Sequence, residues 1–266
     1  GPDGSTTTVE RTLYSTHYGP VVNLPGVGWS PSMTMAIRDA NADNDEIGSQ
    51  FLAMARSESM DDLIDAHRTW QGIPWVNTVA ASSDGRIWYA DTASTPNLSP
   101  AAIDAWSERL TTDAFTGIAF ENGIYLLDGS DPLFEWVDDP TARDPGVEPF
   151  ELKPQLERSD YVFNANDPYW VANGDEFLDG ASPLHGLADT ALSTRTRMNV
   201  RQLAADTGGA GDDGLFTLTE LQATALSNRV FTAEALMDEF VVRCRAESPE
   251  QALCDVLAAW DRRVDI

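Results

Sequence analysis

Three features of the chain predict an α+β fold. Asp84-Gly85 lies between two β-rich runs, a strong hairpin signal. After Ser193 the pattern turns helical almost without interruption. Strands first and helices later is the order of segregated elements, not of alternating βαβ units. With 266 residues, 42% of them hydrophobic, the chain can bury a core in one large domain or two small ones. It reads as a mixed strand and helix part over 1–160 and a mainly helical part over 161–266 that opens on a short strand. No internal repeat recurs at a fixed period.

Thr6 to Tyr14 is rich in β-branched and aromatic residues and predicts the first strand. Tyr18-Gly19-Pro20 turns the chain, Val21-Val22 resumes a strand, and Leu24-Pro25-Gly26 breaks it. Met33 to Arg56 predicts a helix or helix–loop–helix. Met60 to Trp70 predicts a second helix, with Ser59 as N-cap and Asp61 and Asp62 in the first turn. Trp75 to Ala81 and Ile87 to Ala90 are the two arms of the hairpin. A loop from Pro96 leads into a short helix capped by Ser99, with Pro100 at its first position. Gly123 to Trp136 reads as strand and turn, and the acidic, Pro-rich stretch from Asp138 to Lys153 as a surface loop. Tyr161-Val162-Phe163 predicts a short strand ending at Asn164. In the helical part, Gly208 to Gly214 is a loop and Thr217 to Glu220 opens another helix.

Charge narrows the function classes. Lys plus Arg number 17 against 43 Asp plus Glu, a net charge of −26. Such a surface repels phosphate backbones and anionic lipid, which argues against nucleic-acid and membrane partners. No apolar run reaches the roughly 20 residues of a membrane span. Lys153 is the only lysine; a GC-rich genome and adaptation to salt both account for that bias. The polar opening, Gly1 to Glu10, lacks the apolar region of a signal peptide, as a mature or excised segment would. Cys244 and Cys254 flank a loop between two helical stretches; a disulfide there fits an exported protein, and two buried thiols are the alternative.

Most local motifs carry no chemistry. Asp39 to Gln50 begins like a calcium-binding EF-hand loop, then places Asn44 where the turn requires Gly and Gln50 where calcium requires Glu. Gly208 to Phe216 matches a single calcium-binding nonapeptide, a unit that works only when stacked. Asn97-Leu98-Ser99 is a glycosylation sequon of a kind common by chance. His17, His67 and His185 have no metal spacing, and no Gly-x-Ser-x-Gly elbow occurs. Asn164-Ala165-Asn166 stands out. Asparagine is depleted in strands, yet here two stand at a strand end on one face. A carboxamide N–H can donate to a developing oxyanion without adding charge. An Asx-turn capping the strand accounts for the same residues.

That segment resembles the Asn-x-Asn motif of the penicillin acylase family of N-terminal-nucleophile hydrolases. Other stretches resemble the family in the same order. They include Tyr14 to Val22, Arg38 to Asn41, Gln71 to Thr78 and Asp84 to Asp91. Asp128 to Asp131, Glu135-Trp136, Ser182 to Leu184, Arg195-Thr196-Arg197, Gly214 to Leu218 and Ala258 to Asp261 follow. The branch that removes acyl chains from homoserine lactones, aculeacin or penicillin V is the nearest. The resemblance implies an interior segment, 1–266, of an acylase large subunit, part of an αββα sandwich with β-hairpins first and a helix-rich C-terminal part. It implies secretion or a periplasmic home, maturation by autoproteolysis, no cofactor beyond a possible structural calcium, and a small-molecule amide substrate. The partners would be the small acylase subunit and the rest of the large subunit.

In such enzymes an N-terminal Ser, Thr or Cys attacks the amide with its own α-amine as base. The motif carries the oxyanion-donor role onto Asn166, with Asn164 a structural neighbour. A later Arg that orients the site corresponds to Arg197, with Arg195 as second choice. The opening Gly1-Pro2-Asp3-Gly4 departs from the family's nucleophile start, and Ser5 is followed by residues matching an interior strand. The nucleophile is therefore expected outside this segment, and the segment alone is expected to be inactive. A family-derived binding or scaffold protein without a nucleophile is the alternative. A Gly-Ser, Gly-Thr or Gly-Cys junction followed by Asn in the upstream gene sequence would distinguish the enzyme.

Self-repulsion at a net charge of −26 is relieved by screening. The melting temperature is expected to rise from dilute buffer to molar NaCl; a flat or falling Tm would contradict this.

Overall fold

The computed structural model describes residues 4, 6, 8–23, 29–204 and 208–264. The chain opens with a small antiparallel meander: β1 (Ser15–Thr16), β2 (Gly19–Val22) and β3 (Met35–Ala36). Ser15 lies opposite Pro20, and Val21 opposite Ala36. Gly19 is obligatory here: its φ is +128°, and a Cβ would stand 2.2 Å from the Ile37 carbonyl oxygen. The first strand thus starts later than its composition predicts. Among the described residues from 8 to 14 there is no strand; they are exposed and lack the continuous partner a β-run needs. The predicted break at Leu24-Pro25-Gly26 lies outside the described residues.

The helix expected from Met33 is also displaced. Residues 35–36 form β3, and α1 begins only at Ile47 (Ile47–Ala55). Short polar side chains capture the intervening backbone. Asn41 N–H donates to Asp39 Oδ1 at 2.8 Å, and Glu46 N–H donates to Asn44 Oδ1 at 3.2 Å. Such bonds compete with helix formation. The EF-hand-like stretch is thus a run of turns, held to the body by Asn44 Nδ2 donating to the Gly72 carbonyl at 3.0 Å.

Helix α2 (Met60–Trp70) lies where the sequence predicts it. Ser59 Oγ accepts from Asp62 N–H at 3.1 Å. Of its buried residues, Met60 packs against Trp88 and Ala90 of the second sheet, and His67 lies edge-on to Trp88. That sheet has the order β4 (Thr78–Ala81), β5 (Ile87–Ala90), β6 (Gln155–Arg158), all antiparallel. The predicted hairpin forms, with Ala81 opposite Ile87, although its first arm starts at Thr78. Strand β5 is central and buried on both faces. Trp88 and Ala90 pack against Met60 and Phe150 on one side, while Tyr89 packs against Leu156, Val162 and Ala172 on the other.

The strand expected at 161–163 is instead β6, which ends three residues earlier. A bend at 159–160 interrupts the chain, where Arg158 pairs with Asp160 and Glu176. The Asn173 carboxamide then donates to the Tyr161 carbonyl at 2.8 Å, and Phe163 N–H donates to the Ala172 carbonyl at 2.8 Å. A side-chain amide thus occupies an acceptor that a neighbouring strand would use.

Ser99 caps α3 (Pro100–Thr112), longer than expected, and Asp113 then caps α4 (Ala114–Glu121). No strand forms in residues 123–136. Asp128 and Asp131 accept from backbone N–H groups two residues on and bend the chain into a single 3-10 turn, Pro132–Phe134. The stretch from 138 to 153, expected on the surface, instead enters the core: Val147, Glu148, Phe150 and Lys153 are buried. The Arg143 guanidinium stitches it in, donating to the Gln71 carbonyl, Ser94 Oγ and the Ala40 carbonyl.

Four helices finish the chain: α5 (Thr194–Leu203), α6 (Leu218–Ala225), α7 (Phe231–Glu247) and α8 (Gln251–Ala259). A capping box between Thr217 and Glu220 opens α6. Cys244 on α7 is bonded to Cys254 on α8. Among the described residues no helix is long and apolar enough to cross a membrane.

Beneath β5 lies a polar pocket of the core. His67 is fully buried, shares hydrogen bonds with Thr92 Oγ1 (2.9 Å) and Thr78 Oγ1 (3.3 Å), and packs edge-on against Trp88. The sole lysine, Lys153, donates to the Thr92 carbonyl at 3.2 Å; burial lowers its pKa to about 8. Burial and the Lys153 charge push His67 down to about 4. The folded state thus resists protonating His67, while the unfolded chain takes up the proton near 6.5. His67 therefore contributes a loss of stability that is absent above about pH 6.5 and complete below about pH 4, on the order of 3 kcal/mol. Urea midpoints measured across that window should fall more steeply with acid for the wild type than for His67→Gln; parallel slopes would contradict the assignment.

Candidate active site

The Asn-x-Asn segment forms a tight turn rather than a strand end. Asn164 Oδ1 accepts from Asn166 N–H at 2.9 Å, which closes an Asx-turn. Asn164 Nδ2 reaches the Asp167 carbonyl at 3.5 Å. Asn166 takes the left-handed conformation, φ +66°, which Asn tolerates better than most side chains. The expectation that both carboxamides share one strand face is therefore corrected. The first is consumed by the turn. The second is exposed, and its carboxamide makes no hydrogen bond within the described residues. Ala165 between them is buried.

Three contacts clamp this turn. On its inner side Asn164 hydrogen bonds to Tyr89, the buried tyrosine of β5, whose hydroxyl also donates to Asn77 Oδ1 at 3.2 Å. Toward α5, Asp167 Oδ2 accepts from Ser193 N–H at 3.0 Å, and the Thr196 hydroxyl bonds to the same carboxylate. Burial pushes the Asp167 carboxyl up, but these hydrogen bonds and the nearby Arg195 outweigh it and hold the pKa below the usual carboxylate range. On the third side, Gly186 lies against Pro168. Its φ is +116°, and a Cβ would meet the Pro168 Cβ at 2.8 Å, so no larger residue fits.

Gly186 is held by the residue before it. His185, with its side chain 1% exposed, lies between Glu148 (2.8 Å) and Asp91 (3.6 Å). Thr95 Oγ1 is at 3.5 Å, and Tyr169 packs edge-on against the ring. Burial opposes the imidazolium, but hydrogen bonds and charge from Asp91 and Glu148 outweigh it and raise the His185 pKa.

Arg197, the second expected site residue, is exposed on the first turns of α5, and its Nε donates to the Leu192 carbonyl at 3.1 Å. Arg195 is also exposed and lies near the Asp167 charge. The turn bearing Asn166 and the helix bearing Arg197 are thus joined through Asp167, Ser193 and Thr196. Sequence reasoning missed these joining residues and His185. The readable signals were the Ser193 N-cap position and the Asp167-Pro168 pair; nothing in sequence linked either to Asn166.

Residues from separate motif stretches also meet elsewhere. Tyr18 Oη donates to Glu135 at 2.6 Å, and His17 and Arg38 lie 3.1 and 3.3 Å from the same carboxylate. The Arg38 guanidinium stacks 3.9 Å above Trp136. A surface cavity of about 430 Å³ lies by α5 and α7, lined by Arg201, Arg229, Glu234 and residues 260–263; neither Asn166 nor Arg197 lines it. Among the described residues no group of three or more His, Cys, Asp or Glu side chains is placed to hold a metal.

The penicillin amidase family model matches residues 2–266. The chain belongs to that family. An acyl-homoserine lactone acylase of Pseudomonas putida, PvdQ, is 33% identical over 268 residues, covering 100% of the chain and 33% of that protein. The aculeacin-A acylase of Actinoplanes utahensis is 32% identical, covering 97% of the chain and 34% of that protein. The chain thus spans about a third of the length of these relatives. The penicillin G acylase of Alcaligenes faecalis has a similar fold, with a TM-score of 0.54 at 15% identity over 98% of the chain and 40% of that protein. That likeness shows the fold alone, which among the described residues comprises two small antiparallel sheets and a helical part.

The His185 cluster is testable. Its folded pKa is raised, so its contribution to stability is complete below the unfolded value and is lost as pH rises through the folded one. Glu148→Ala should cost about 3–5 kcal/mol at about pH 5 in urea denaturation and less at alkaline pH; equal midpoints at acid pH would exclude the pairing.

Proposed function

We propose that this chain is an interior part of the large subunit of an acylase that hydrolyses the amide between an acyl chain and an amine. The observation that carries the reading is the exposed, unpaired carboxamide of Asn166 on a turn clamped from three sides. A donor fixed before the reaction needs no reorganisation when negative charge develops on the carbonyl oxygen.

In this reading an N-terminal Ser, Thr or Cys outside these 266 residues attacks the carbonyl carbon, and its α-amine takes the proton. The oxyanion accepts from a backbone N–H and from Asn166 Nδ2. Collapse of the intermediate breaks the C–N bond, the leaving amine receives the proton, and water then hydrolyses the acyl-enzyme. Arg197 orients the site. Its place on the helix tethered to the Asn166 turn supports that role. Acyl-homoserine lactones, acylated lipopeptides and penicillins form the substrate class, in keeping with the relatives' names. The small subunit and the remaining large-subunit residues complete the site, and the enzyme acts outside the cytoplasm. The bonded Cys244–Cys254 pair supports that location.

The test uses the full-length acylase on acyl-homoserine lactones, penicillin V and an aculeacin-like amide. Asn166→Ala should lower kcat by about 10²–10³ with little change in KM. Wild-type turnover in that variant would remove Asn166 from the mechanism. The isolated 266-residue chain should hydrolyse none of the three.

A further inference from the structure

We infer that Asp167 is a positioning residue that aims Asn166 by anchoring its turn to the N-terminus of α5. This rests on the reading of Asn166 as oxyanion donor and assigns a second residue to the same site. Asn166 sits at φ +66°, a conformation that Asn tolerates and that restraints on both sides of it select. Upstream, Asn164 supplies one restraint, accepting from Asn166 N–H. Downstream, the next residue is Asp167. Its carboxylate accepts from Ser193 N–H at 3.0 Å and from the Thr196 hydroxyl. Those groups belong to the first turn of α5. Ser193 Oγ caps the helix by accepting from Thr196 N–H at 3.2 Å, and it donates to Thr196 Oγ1 at 3.1 Å; Thr196 is fully buried.

A carboxylate seated on two donors at a helix N-terminus is held by charge-assisted bonds and by the helix dipole. The turn therefore moves only if α5 moves. Asp167 also precedes Pro168, which biases it toward extended backbone and lies against Gly186. Removing the carboxylate frees the downstream half of the turn while leaving Asn166 itself intact. The geometric loss falls on the donor, not on substrate binding.

The experiment is a double-mutant cycle in the full-length acylase, with kcat referred to active sites titrated by acyl-enzyme formation. Asp167→Ala should lower kcat by about 10–100-fold, the cost of misplacing a reacting group by about 1 Å, with KM within about threefold. In the Asn166→Ala background the same change should cost nothing further. Asp167→Asn, which keeps an acceptor for Ser193 N–H, should recover most of the lost turnover. Equal losses from Asp167→Ala in both backgrounds would overturn the positioning role while leaving Asn166 as donor. Wild-type turnover of Asn166→Ala would overturn both.

Discussion

The ring of His185, buried between the carboxylates of Glu148 and Asp91, is the contact on which the candidate site depends. An imidazole without partners in that position would be costly, and a carboxylate without partners more so. Together they satisfy one another. Asp91 follows the central strand β5, Glu148 belongs to the acidic stretch drawn into the core, and His185 ends the 3-10 turn from Pro183. One polar cluster therefore joins three segments that are distant in sequence. It also fixes Gly186, which lies against Pro168 at the far side of the Asn166 turn.

Around that cluster the architecture is simple. Strand β5 alternates its side chains between two apolar environments, with Trp88 toward α2 and Tyr89 toward the segment that carries the asparagines. Tyr89 thus belongs to the core and, through its contact with Asn164, to the site. The polar groups buried near β5, namely His67, Thr92 and Lys153, are bonded to one another or to backbone. In a chain of high negative charge, the buried cationic side chains of Lys153 and Arg143 each donate to defined neighbours, Lys153 to the Thr92 carbonyl and Arg143 to the Gln71 and Ala40 carbonyls.

The elements legible in sequence were those whose signals are local. Ser59, Ser99 and Thr217 cap helices because a short hydroxyl side chain reaches the N–H three residues on, wherever the helix later packs. The Asp84-Gly85 hairpin and the late helices belong to the same class. Misplaced elements have two other causes. Residues 123–136 are bent by Asp128 and Asp131, whose side chains capture the backbone two residues on. Residues 8–14 have strand composition and no strand, and the strand expected at 161–163 gave way when Asn173 took the Tyr161 carbonyl; there a partner elsewhere in the chain, or its absence, decided the outcome.

The amino-acid order alone determined an acidic α+β chain, its principal helix starts, its hairpin, and an asparagine pair with a family resemblance that the family match then established. Tertiary structure decided which asparagine is spent and which is offered. Both carry the same side chain, and in sequence only their order in the family motif distinguishes them. The difference arises because Tyr89, Gly186 and the Ser193–Thr196 turn, brought from three places in the chain, leave room for one carboxamide inside the turn and turn the other outward.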